Sequence, residues 1–272
     1  MPGPGRRLDS VVVAEGVRTG DRTGRVPRQV LAGISLEVAR GEFVAVMGPS
    51  GCGKSTLLHV LAGLEPPDQG RVLVQGQDLY ALDDDRLAAV RRDHIGVVFQ
   101  LFNLIPSLTA AENVALPLRL RGRDHGGGRR GTPSRRQVIR RRVDALMDQL
   151  DLHRVRDQGP EEMSGGEQQR VAVARALAAA PSVLLADEPT GNLDRPAAHE
   201  VMALLSRLCR EEGQTTLVVT HDARTAAWAD RVLVMRDGAV VDALSTGRRA
   251  HPEDGATPDP APLLGRLVEL GL

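Results

Sequence analysis

The sequence predicts an α/β fold, a mainly parallel β-sheet with helices on both faces and an antiparallel β addition at its N-terminal side. Short β-branched runs alternate with helical patterns along most of the 272 residues, as crossover-connected parallel strands require. The earliest strands follow one another through short connections, which suit antiparallel pairing. An apolar fraction of 42% against 26% charged residues is enough for a sizeable core, and there is no internal repeat.

In chain order, Val11–Val13, Ile34–Val38 and Phe43–Met47 are strands, and Lys54–Ala62 is the first helix. Arg71–Val74 is a strand, Asp83–Arg92 a helix and Ile95–Phe99 a strand. Helical patterns then fill Pro133–Leu150 and Gly165–Ala179. Val183–Ala186 (strand), Arg195–Glu211 (helix), Thr215–Val219 (strand) and Asp222–Trp228 (helix) continue the alternation. Strand Arg231–Met235 turns at Asp237-Gly238, a hairpin dipeptide, into Ala239–Asp242. Two segments depart from the pattern. Arg121–Arg142 holds nine arginines and a Gly126-Gly127-Gly128 run, so its first half reads as a loop. Thr246–Pro262 is a Pro/Gly-rich linker, and the amphipathic tail Leu263–Leu272 is expected to pack back on its own domain.

Charge excludes one class of function. The 35 basic and 35 acidic residues cancel, and a non-specific nucleic-acid binder needs a basic excess. All the basic residues are arginines except one lysine, Lys54. The aromatic residues are Phe43, Tyr80, Phe99, Phe102 and Trp228. Cys52 and Cys209 form neither a disulfide framework nor a metal site. Arg6 and Arg7 precede an apolar run too short for a signal peptide, and no stretch has the ~18 apolar residues of a membrane span. The expected location is the cytoplasm.

Gly48-Pro49-Ser50-Gly51-Cys52-Gly53-Lys54-Ser55 matches G-x-x-x-x-G-K-[ST] in full, between an apolar strand and a helix. Glycines let backbone N–H groups turn inward around phosphates, and the helix N-terminus adds roughly half a positive charge. Lys54 reaches the β- and γ-phosphates as a compact point charge, where the larger planar arginine would not fit. The Ser55 hydroxyl suits Mg²⁺. The core is thus a P-loop NTPase core, with nucleotide contacts through Gly48, Pro49, Ser50, Gly51, Cys52, Gly53, Lys54, Ser55 and Thr56. Cys52 reads as a small loop-filling residue, the alternative being a thiol of depressed pKa.

Val183-Leu184-Leu185-Ala186-Asp187-Glu188 is an apolar strand ending in two acids. Asp187 is placed for Mg²⁺ and Glu188 for the attacking water. Met163-Ser164-Gly165-Gly166-Glu167 opens a long helix, either as a second anion site or as an ordinary N-cap.

Taken together these motifs resemble the ATP-binding subunits of ABC transporters, from about Val11 to Asp242. The resemblance implies a domain over residues 11–243, a helical subdomain at about 101–160, an N-terminal tail at 1–10, and a linker with a C-terminal helix at 244–272. It implies an Mg²⁺-dependent ATPase that forms a head-to-tail homodimer over two ATP molecules. In it, Ser164, Gly165 and Gly166 contact the γ-phosphate held by the other copy. Gln100 becomes the glutamine that touches Mg²⁺ and water, Asp194 the interface aspartate, and His221 the histidine bonded to the γ-phosphate.

The runs Phe99–Pro106, Leu108–Val114 and Ala186–Asp194 are similar to the class serving lipoprotein release, macrolide export and bacterial cell division. An integral membrane permease partner is therefore implied, with this chain peripheral on the inner face of the membrane and no nucleic-acid partner. Its work is export or extracytoplasmic movement. The alternatives are a non-transporting ATPase of cell division and a non-membrane ATPase of the same family. Leu104, Ile105, Pro106 and Leu108 form an apolar tip suited to docking the permease, or else belong to the subdomain's own core. The arginine block is a solvated surface, with anionic lipid as the alternative partner. One departure stands out. The family's adenine-stacking aromatic falls on Asp21, beside Arg22 and near Arg18. Base stacking contributes about 1–3 kcal/mol, so weaker, less adenine-selective binding is expected, with an arginine plane as substitute.

Overall fold

The computed structural model describes residues 9–21, 28–121, 134–246 and 257–271. Two sheets form the frame. A four-stranded antiparallel sheet has the order β2-β1-β4-β5, with β1 Ser10–Asp21, β2 Arg28–Ala39, β4 Gln69–Val74 and β5 Gln77–Asp78. A six-stranded sheet has the order β10-β9-β3-β8-β7-β6. Its members are β3 Phe43–Met47, β6 Ile95–Val98, β7 Val183–Asp187, β8 Thr215–Thr220, β9 Arg231–Arg236 and β10 Ala239–Ser245. All its neighbours pair in parallel except the β9–β10 hairpin.

The central strands read as unbroken apolar runs because both their faces are covered. In β3, Phe43, Ala45 and Met47 enter one core cluster while Val44 and Val46 enter the other. In β7, Leu184 and Ala186 face the first cluster, and Val183 and Leu185 the second. The second cluster includes α1 (Lys54–Leu61) and the antiparallel sheet; the first includes α3 (Ala110–Leu120), α4 (Arg135–Gln149), α5 (Gly165–Leu177) and α6 (Arg195–Glu212). Parallel pairing brings the ends of β3, β6, β7 and β8 to one edge, and every predicted hydrolytic residue lies at or after one of those ends.

Local chemistry starts the helices. Asp83 caps α2 (Asp84–His94), and Thr109–Glu112 and Ser134–Gln137 form reciprocal boxes at α3 and α4. The periodicity misses α3 because Pro117 lies inside it, a residue that normally argues against helix. Strands β1 and β2 run to 12 residues each, well beyond the expected runs. Bulges at several points of their register break the alternation that would mark them. Short α7 is Ala223–Ala226.

The tail forms α8 (Ala261–Glu269), with Leu263 and Leu267 buried against the first cluster. Arg266 pairs with Asp242 at 2.9 Å, and Arg236 donates to the Leu270 carbonyl at 2.9 Å.

Much of the described arginine block has local partners. Arg121 pairs with Asp93, Arg135 donates to the carbonyls of Leu118 and Arg119 near the end of α3, and Arg142 donates to those of Leu177 and Ala178 at the end of α5. Cations at helix C-termini are favourable on the macrodipole. Residues 122–133 of the block, and the N-terminal tail up to residue 8, lie outside the described residues. No helix among the described residues is long and apolar enough to cross a membrane.

Candidate active site

Two glycines of the phosphate loop lie where neighbouring backbone leaves no room for a side chain. A Cβ on Gly48 would lie 2.1 Å from the Met235 carbonyl oxygen, and one on Gly53 2.8 Å from that of Val30. Gly53 (φ 101°) begins α1 without any side-chain cap, and the first turn of α1 carries no acid. Its leading N–H groups are thus available to an anion. Lys54 is 7% exposed, and its Nζ donates to the carbonyls of Gly48 (2.8 Å) and Pro49 (3.0 Å). The ammonium is held over the loop rather than out in solvent. Cys52 is buried, and burial raises its thiol pKa, opposite to the shift that makes a thiol reactive.

Facing the loop, Asp187 ends β7 and its Oδ1 accepts from Ser55 Oγ at 3.1 Å. Burial raises its carboxyl above the usual range, and the Ser55 hydrogen bond opposes this. Glu188 adopts a left-handed backbone (φ 44°) and its N–H donates to the Val219 carbonyl at 3.0 Å. That turns its side chain to His221, whose Nδ1 lies 2.9 Å from Glu188 Oε1. Gln100, exposed beyond β6, has its Nε2 3.2 Å from the place a Gly191 Cβ would occupy. Lys54, Ser55, Asp187, Glu188, His221 and Gln100 therefore form one constellation along the sheet edge.

Ser164, Gly165, Gly166 and Asp194 form another. Ser164 caps α5 in a reciprocal box with Glu167, and its hydroxyl hydrogen bond holds the Glu167 carboxyl below the usual range. Gly165 lies against Leu193, and Gly166 against Ala197. Asp194 caps α6, accepting from the Ala197 N–H at 2.9 Å. Among the described residues no hydrogen bond or ion pair joins this group to the phosphate loop.

Four linking residues have no local signal in the sequence. Asn192 donates to the Gln100 carbonyl at 2.9 Å across 92 positions. The Thr190 and Thr225 hydroxyls meet at 2.9 Å in the interior, joining the carboxylate loop to the helix after His221. Asn113, fully buried, binds both the N–H and the carbonyl of Ile105 and thereby folds the apolar tip. That tip is divided: Ile105 and Pro106 are exposed, whereas Leu104 and Leu108 are half-buried and Leu104 packs on the core.

Arg18 is not placed as an adenine platform. It pairs across the sheet with Ala32, whereas Thr19 pairs with Leu31, the β2 side chain that reaches Gly53. Alternation therefore sends Arg18 away from the loop. Its guanidinium lies over Gly33, 3.0 Å from where a Cβ would sit. Arg22 and the Asp21 side chain lie outside the described residues.

No cluster of three or more His, Cys, Asp or Glu side chains suited to a metal occurs among the described residues. The Ser55 hydroxyl beside the Asp187 carboxylate nevertheless suits Mg²⁺, which takes few protein oxygens and fills its shell from phosphates and water.

Residues 31–191 match the family model described as ABC transporter. The chain is 46% identical over 211 residues to the ABC transporter ATP-binding protein MJ0796 of Methanocaldococcus jannaschii, covering 77% of this chain and 86% of that one. It is 47% identical over 231 residues to the lipoprotein-releasing system ATP-binding protein LolD of Anaeromyxobacter dehalogenans, covering 85% and 92%. The macrolide export ATP-binding/permease protein MacB of Syntrophobacter fumaroxidans is 43% identical over 92% of this chain, which spans only 32% of that protein. The dimeric post-hydrolysis structure of MJ0796 bound to ADP and Pi superposes with a TM-score of 0.76 at 41% identity, covering 86% of this chain and 98% of that one.

Proposed function

Because the chain belongs to the ABC transporter family, as its ATP-binding subunit, we propose that it hydrolyses ATP to drive an integral membrane permease, for export or extracytoplasmic mechanical work. It works at the inner face of the membrane, held there by that permease. One observation carries the chemistry: Ser55, Asp187, Glu188 and His221, which follow or end three neighbouring strands, meet at the phosphate loop's edge of the sheet in two side-chain pairs at 3.1 and 2.9 Å.

The loop amides and Lys54 bind the β- and γ-phosphates, with Lys54 exchanging loop carbonyls for phosphate oxygens. Ser55 and Asp187, with Gln100, would hold Mg²⁺, which neutralises charge on the phosphate oxygens when bound. Glu188 accepts the proton of the attacking water. His221 orients Glu188 through Nδ1 and bonds the γ-phosphate through its other nitrogen. Ser164, Gly165 and Gly166 stand apart from the chain's own phosphate loop, so they complete the site of a second copy, with Asp194 at the interface between copies.

Glu188→Gln tests this reading. It keeps size and hydrogen bonding while removing the base, so turnover falls by about a hundredfold or more. ATP still binds, and the variant elutes as an ATP-dependent dimer. A wild-type hydrolysis rate in Glu188→Gln would refute the assignment.

A further inference from the structure

The loop after Gln100 has an unusual backbone. Phe102 (φ 51°) and Asn103 (φ 50°) stand consecutively in the left-handed region. Asparagine visits that region readily, but a phenylalanine stays there only when its surroundings impose it. Successive left-handed residues also turn their carbonyls to one side, where extended backbone would alternate them.

Both carbonyls meet one side chain. Arg175, in the last turn of α5, donates from Nη2 to the Phe102 carbonyl at 2.8 Å and from Nη1 to the Asn103 carbonyl. It is half-buried, and loss of hydration lowers its pKa. No carboxylate pairs with it among the described residues, so these carbonyls are its partners. A planar fork suits two neighbouring carbonyls, which a lysine's single ammonium matches poorly. The same loop touches the start of α5. The Phe102 ring is 3.8 Å from where a Gly165 Cβ would sit, and Asn192 holds the Gln100 carbonyl.

We propose that Arg175 is a positioning residue for ATP hydrolysis: its two-carbonyl clamp fixes the Gln100 loop to the helix that begins at Ser164. Gln100 and the Ser164–Gly166 segment then move as one piece. This rests on the hydrolytic reading of Gln100 given above.

The test compares wild type, Arg175→Lys, Arg175→Met and Glu188→Gln. Readouts are ATPase rate against Mg²⁺ concentration, affinity for a fluorescent ATP analogue, melting temperature, and amide exchange across residues 101–104. Arg175→Lys is expected to bind the analogue within about threefold of wild type while kcat falls about tenfold. Half-maximal activation requires more Mg²⁺, and the loop amides exchange faster. Arg175→Met goes further the same way. The proposal is overturned if Arg175→Lys matches wild type in kcat, Mg²⁺ dependence and exchange. It is equally overturned if analogue affinity and melting temperature fall in step with kcat, or if both Arg175 variants fail to fold. Glu188→Gln separates the two ideas: a dead Glu188→Gln beside an unaffected Arg175→Lys removes the clamp alone, and an active Glu188→Gln removes the hydrolytic reading.

Discussion

The phosphate loop and the Gln100 loop lie along one sheet edge, yet they are built in opposite ways. The first is fixed by close backbone packing against β2 and β9 and by its own lysine. Gly48 and Gly53 admit no side chain against the Met235 and Val30 carbonyls, and Lys54 bonds carbonyls five and six residues away. The second is fixed from a distance, by Arg175 and Asn192, each more than 70 positions along the chain. A loop wedged against the backbone of two strands has little room to change shape. A site fixed through distant side chains changes when those elements shift, which suits a part that must sense a second copy or a permease.

The largest effect should come from breaking the backbone packing of the phosphate loop. In Gly48→Ala the new methyl meets a backbone carbonyl rather than a flexible side chain, so the loop must move as a whole. Stability should fall by about 3 kcal/mol or more, with ATP binding lost alongside. Gly51→Ala is the control. Nothing lies within 4 Å of its added Cβ, and only the positive φ of 76° opposes it, at about 1–2 kcal/mol. Chemical denaturation and nucleotide titration of the pair check this. Equal losses would show that space around Gly48 is not what shapes the loop.

This contrast also explains what the sequence made legible. The phosphate loop, the Asp187-Glu188 pair and the α5 cap are contiguous motifs, recognisable from neighbouring residues alone. Strands β3, β7 and β8 were equally visible because burial on both faces leaves unbroken apolar runs. Helix α3 was hidden by Pro117, and the reach of β1 and β2 by bulges. Partners such as Arg175 with Phe102, Asn192 with Gln100, or Thr190 with Thr225 exist only after the chain has folded. Arg18 shows the same limit in reverse: close in sequence to the expected adenine position, it lies on the other side of its sheet.

A second, pH-dependent effect sharpens the comparison. Burial raises the Asp187 carboxyl, so the folded chain holds that proton more tightly than the unfolded chain does. The protonated group's contribution to stability is therefore present at low pH and lost as pH rises through the folded value. Asp187→Asn removes the buried charge. Without nucleotide or Mg²⁺ it should melt higher than wild type at neutral pH, an advantage that fades as pH falls toward about 4, the usual carboxylate value. Its Mg²⁺-dependent turnover should be lost at every pH. Melting curves across this range decide the matter, since a variant less stable than wild type at neutral pH would contradict the burial argument.

The smallest effect concerns Ser164, which combines a local and a distant task. Locally it caps α5. At a distance it is assigned to the γ-phosphate held by a second copy. Ser164→Ala removes both, at about 1 kcal/mol, or a melting shift of about 2–4 °C for a chain of this size. Aspartate caps helices as well as serine, so Ser164→Asp should keep nearly wild-type stability. Its charge, however, would face the γ-phosphate, and turnover should fall at least as far as in Ser164→Ala. Melting and ATPase assays on the two variants separate the tasks. If Ser164→Asp hydrolyses ATP at the wild-type rate, the hydroxyl is only a cap, and Ser164 has no task beyond its own helix.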